Sequence, residues 1–151
     1  MSVLLFALDT GAVKPPTGIA VRAAVAWLVI IGVESIHGVL RIFFLAPLVG
    51  DLAARQIGVF IGSALIFLVA WWLIEWIGAD TRRALVLVGI IWITLTLSFE
   101  IGIGHYVMHR SWELVASDYK ITEGGLLPLG MILLGVAPLL AAKWRGIELR
   151  Q

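Results

Sequence analysis

Residues 23–48 read AAVAWLVIIGVESIHGVLRIFFLAPL, and this stretch decides the class of fold. Roughly 20 predominantly apolar residues carry a helix across about 30 Å of hydrocarbon, so a run of this length predicts a membrane span. Its second half carries Glu34, His37 and Arg41, where a plain anchor would carry leucine. Their spacing of i, i+3 and i+7 puts all three on one stripe of a helix. In water such a stripe is an ordinary solvated face. Inside a bilayer each charge costs about 2.5 kcal/mol or more, so the stripe must turn inward and find partners.

Working outward, residues 56–77, 84–108 and 125–142 form three further windows of the same kind, giving four spans in one membrane domain that covers residues 1–151. The second ends in Trp71, Trp72 and Trp76, at the depth where indoles favour the membrane interface. The third is polar in its second half, with Thr94, Thr96, Ser98 and Glu100. The fourth is free of charge and contains Pro128 and Pro138, which predict a kink rather than a break because neighbouring helices can satisfy the freed carbonyls. Composition agrees: 61% of the residues are hydrophobic and only 14% charged, with a mean hydropathy of +1.04, too few charges to cover a surface that faces water. The expected fold is an all-α integral membrane bundle of four helices.

Several classes of function fall away on the same grounds. The chain has no cysteine, which removes disulfides, thiolate metal sites and thiol catalysis. It has no dinucleotide or phosphate-binding glycine loop, and its basic residues are too scattered for nucleic acid. The stretch from Val3 to Leu8 is too short to span and has no basic leader, so it reads as an interfacial segment rather than a signal peptide. Lys14, Arg22, Arg82, Arg83, Lys143, Arg145 and Arg150 fall on one side of the membrane, against Arg41, Arg55, Arg110 and Lys120 on the other. This bias predicts cytoplasmic termini, in a chain of the bacterial inner-membrane type. Glu75, near the inner face, is expected to pair with Arg82 or Arg83.

The polar residues of the first and third spans recur in a similar order. Glu34, His37, Arg41 and Asp51 are followed later by Glu100, His105, Arg110 and Asp118, with Glu-to-Asp separations of 17 and 18 residues. The pattern is that of two repeated helical hairpins related by an axis along the membrane normal. With or without such ancestry, Glu34 and Glu100 are expected in the outer half of the bilayer.

A coherent polar site can be assembled from these positions. Glu34, Glu100 and His37 are the candidate acid–base groups. Arg41 is the candidate anchor for an anionic group, Thr96 stands one turn from Glu100 and within reach of its carboxylate, and Gln56 lies at the rim. Asp51, Arg55, Arg110, Trp112, Asp118 and Tyr119 are the candidate lid at the same end. Two carboxylates and two guanidiniums sum to zero, which leaves no excess negative charge for a divalent cation and favours a small amphipathic or lipophilic ligand. That reading requires no cofactor.

Two other classes compete. A redox protein would bind haem between His37 and His105, or a metal ion through His37, His105 and His109. Against it, the two axial candidates differ by roughly 10 Å in expected depth, and only one Glu-x-x-His motif is present. In the third class the chain is a non-catalytic subunit whose ion pairs, Glu34–Arg41 and Glu100–Arg110, only fix packing, while small residues of the second and fourth spans form contacts to another copy or a partner subunit; Gly58 and Gly62 make a small-xxx-small pair that lets another helix approach closely.

Overall fold

The computed structural model describes residues 16–107, 109, 111–117 and 119–150. The expected interfacial segment at Val3 to Leu8, together with Arg110 and Asp118, lies outside the described residues. Helix α1 (Pro16–Leu40) runs without interruption through a π-helical turn (Arg41–Leu45) into α2 (Ala46–Val49). Gly50, at φ +84°, turns the chain into α3 (Asp51–Ile77). After Gly78, also left-handed, the hydroxyl of Thr81 accepts from the Ala84 amide and caps α4 (Arg82–Ile101), which continues as a second π-helical segment (Gly102–Val107). A short α5 (Trp112–Ser117) and a 3₁₀ turn (Ile121–Glu123) lead into α6 (Leu127–Trp144).

Four helices are thus long and apolar enough to cross a membrane: Thr17–Val49, Asp51–Ile77, Arg82–Val107 and Leu127–Trp144. Only 22% of the most apolar window of the first three is buried within the chain, and 33% of the fourth. The remainder presents side chains such as Phe43, Phe44, Leu48 and Trp72 outward, an arrangement suited to an apolar surrounding. Pro128 sits in the first turn of α6, where a missing N–H is harmless, and the helix runs on through buried Pro138.

Packing follows a ring. The first span packs on the second and third, and the fourth also packs on the second and third, so sequence-adjacent α3 and α4 stand diagonally opposite. A twofold rotation about the bundle axis exchanges diagonal helices, which here run antiparallel. The two hairpins therefore lie side by side in the same order, rather than related by the rotation the repeat implied.

Ala23, Ala26, Ala70, Ile74, Leu85, Trp92 and Ala137 form the core in the half of the bundle nearest the α3–α4 turn. Fully buried Trp92 donates its indole N–H to the Ala23 carbonyl at 2.9 Å. At the same end Arg145 stacks 4.2 Å from the Trp71 ring, donates to the Trp71 carbonyl at 2.7 Å and pairs with Glu75 at 3.0 Å. Glu75 therefore meets Arg145 and not Arg82 or Arg83, because α3 lies beside α6 and diagonal to α4.

The fourth span is also held by close backbone contact. A Cβ built on Gly89 would collide with the Gly135 carbonyl, whereas one on Gly32 would meet nothing. Gly89→Ala should therefore destabilise the protein by about 1–3 kcal/mol, and Gly32→Ala should shift it by less than about 0.5 kcal/mol. Unfolding titrations in mixed micelles measure both, and equal effects would contradict this packing.

Candidate functional site

The half of the bundle away from the apolar core encloses a cleft of about 580 Å³. Glu34, His37 and Arg41 line it from the first span, Arg55, Gln56 and Ser63 from the second, and Thr96 and Glu100 from the third. Gly124, Gly125 and Leu126 close it on the side of the fourth. The helical stripe thus points inward, as its spacing requires.

Room for the charged side chains comes from the second span. A Cβ on Gly62 would lie 2.7 Å from Glu34 Oε2, and one on Gly58 would lie 2.7 Å from Arg41 Cδ. The small-xxx-small spacing of these glycines was expected to let another helix approach closely, and the helix that does so is the first span, whose two charges lie over them.

Glu34 and His37 form a pair one helical turn apart, with Nδ1 3.2 Å from Oε2. With Glu34 ionised and His37 neutral, this contact places the hydrogen on Nδ1 and makes Nε2, which is buried without a partner, the acceptor. Arg41 does not pair with Glu34. Its Nη1 approaches Asp51 Oδ1 at 3.9 Å, beyond hydrogen-bond range, while Asp51 Oδ2 accepts from Arg55 Nε at 3.1 Å. Asp51 is 68% exposed, so water screens both ion pairs. Glu34 Oε1, His37 Nε2 and Arg41 Nη1 are each buried without a hydrogen-bond partner.

The third span is fixed against the first by reciprocal indole hydrogen bonds. Trp27 donates to the Thr96 hydroxyl at 2.9 Å and Trp92 to the Ala23 carbonyl at 2.9 Å, each pair 69 residues apart. Thr96 is therefore engaged by Trp27 and makes no hydrogen bond to Glu100. The same register sets Glu100 level with Ile31, about one turn or 5 Å deeper than Glu34. It also sets His105 close to the level of His37, so the expected 10 Å offset is not found. Direction separates them instead: only His37 lines the cleft, and the His105 ring stacks on Trp112 with centroids 3.9 Å apart. His109 is exposed at φ 51°. Among the described residues no three His, Asp or Glu side chains stand together as metal ligands do.

Of the candidate lid, Arg55 reaches the cleft, Asp51 joins Arg41 to Arg55 across its rim, and Trp112 and Tyr119 do not line it. Sequence reasoning missed the cover that does form. Gly124, at φ +84°, brings the chain over Leu52 and Gln56, and a Cβ there would stand 3.3 Å from Gln56 Nε2. The Gly124-Gly125 pair was the available signal. The two π-helical turns, each beginning within seven residues of Glu34 or Glu100, were also missed, and π turns recur at functional sites.

Comparison of the chain with known protein families, curated proteins and solved structures yields no match.

The Trp27–Thr96 hydrogen bond sets the depth of Glu100 against Glu34. Trp27→Phe, Thr96→Val and the double variant should give a coupling energy of about 0.5–1.5 kcal/mol in unfolding titrations. A coupling near zero would remove this bond as a register device.

Proposed function

We propose that the chain is a multi-pass membrane protein whose cleft binds the polar head of a small amphipathic molecule, with the apolar part lying between the spans. The observation that carries this reading is that three residues lining one cleft, Glu34, His37 and Arg41, each hold a buried polar atom (Oε1, Nε2 and Nη1) with no hydrogen-bond partner within the chain. A single unsatisfied buried polar group costs about 1–3 kcal/mol, and a charged one more. Three in one place fit a site whose partners come from outside the chain. The volume of about 580 Å³ suits a small molecule, and Ile30, Ile66, Phe99 and Met131 give the walls an apolar character.

In this reading Arg41 anchors an anionic oxygen, while Glu34 and His37 accept hydrogens from the ligand. The Glu34–His37 pair also equips the site for acid–base work: the carboxylate orients the imidazole, and Nε2 can take a proton from a bound head and return it. Glu100, deeper in the cleft on the third span, is the second carboxylate of the site. The lysine and arginine bias supports cytoplasmic termini, with the cleft opening toward the opposite face.

Native mass spectrometry of the detergent-solubilised protein tests the binding. A one-to-one adduct in the wild type, depleted about tenfold or more in Arg41→Gln at unchanged thermal stability, is the expected result. Loss of stability in Arg41→Gln or Glu34→Gln with no adduct in any form would leave the cluster a packing device only. Topology has its own test, since the chain lacks cysteine: a cysteine at Lys120 should label only from outside the cell, and labelling from the cytoplasm would reverse the orientation.

A further inference from the structure

The cleft is polarised along the bundle axis. Glu100 lies deepest, Glu34 and His37 come next, and Arg41 and Arg55 stand at the mouth. Arg41 Cδ packs at the level of Gly58 and the Glu34 carboxylate at that of Gly62, four residues along α3, so the arginine stem enters the cleft about 6 Å nearer the mouth than the carboxylate, and Nη1 reaches on toward Asp51. The open valences follow the same order. With Glu34 ionised and His37 neutral and protonated on Nδ1, Glu34 Oε1 and His37 Nε2 both accept, and Arg41 Nη1 donates.

A ligand complementary to this arrangement offers at least two hydrogen-bond donors with positive charge at its inner end and an anionic acceptor nearer the mouth. We propose that the head recognised is a zwitterion carrying a primary ammonium and a phosphate on a two-carbon linker, as in phosphoethanolamine. The ammonium sits on Glu34 Oε1 and His37 Nε2, and the phosphate on Arg41 Nη1. This assignment rests on the reading of the cleft as an amphiphile site and narrows its ligand class.

Other heads fit less well. A trimethylammonium has the same charge but no N–H, and would leave both acceptors unpaired. A purely anionic head would bring its charge toward Glu34 and Glu100. A neutral polyol would supply donors but nothing to balance the Arg41 guanidinium, which a phosphate meets with a charge-assisted bond.

The test titrates the purified full chain with lysophospholipids of one acyl chain bearing ethanolamine, choline or glycerol heads, and with water-soluble O-phosphoethanolamine. The ethanolamine lipid should bind about tenfold or more tighter than the choline lipid, the ratio expected for losing hydrogen bonds to buried acceptors. Glu34→Gln should abolish that ratio, whereas Arg41→Gln should weaken all three lipids alike. The wild-type comparison needs no substitution, so misfolding of a variant leaves the result readable.

Equal binding of ethanolamine and choline lipids, still dependent on Arg41, would overturn the ammonium assignment and leave the amphiphile site standing. Preference for the glycerol head would overturn it in favour of a simple anion. Binding of soluble phosphoethanolamine as tightly as the lipid would support the head chemistry and identify a free solute as its source. If no lipid or solute bound in an Arg41-dependent way, both this assignment and the amphiphile site would fail.

Discussion

A charged stripe on an otherwise apolar helix has to be enclosed by protein, and the second span does this by giving up two side chains. Gly58 and Gly62 leave space for Arg41 and Glu34 at helix–helix contact distance, so the charges lie between two helices rather than holding them apart. The remaining architecture depends on this accommodation. With the first two spans joined around their polar residues, a third wall is needed to complete the enclosure. Trp27 and Trp92 set that wall in register by bonding in opposite directions across one interface.

The bundle accordingly divides along its length. Near the α3–α4 turn, alanines and fully buried Trp92 form an apolar core, the Trp92 indole N–H is satisfied by a backbone carbonyl, and the polar contacts of Arg145 lie at the edge. Toward the other end, glycines and two π-helical turns loosen the same helices around a cavity. Stability and chemistry are thereby assigned to different halves, as expected where a site must keep polar groups unsatisfied at a cost that packing elsewhere offsets.

Hydropathy and helical period alone placed four long helices and turned Glu34, His37 and Arg41 to one interior stripe, because a bilayer leaves few alternatives for a charge in mid-span. Partner choice was less legible. Thr96 bonds Trp27 rather than Glu100, and Glu75 meets Arg145 rather than Arg82 or Arg83. Each of these depends on which helices become neighbours, and sequence adjacency misleads when α3 and α4 end on a diagonal. The depth of His105 was misjudged for a related reason, since counting residues from a span boundary ignores the offset between packed helices. Pro47, which cannot donate to the Phe43 carbonyl, was the available signal for the first π turn, whereas the second holds no proline, and both shift every side chain that follows them.

The diagonal placement of α3 and α4 also orders events during synthesis. The first hairpin leaves the ribosome with Glu34, His37 and Arg41 covered on only one side, by the glycine face of α3. The wall carrying Trp92, Thr96 and Glu100 and the cover at Gly124 belong to the second hairpin, which docks broadside against the first. Until it arrives, the polar stripe is half enclosed. Synthesis of this chain therefore includes an interval in which its most costly residues lack the walls that the second hairpin supplies.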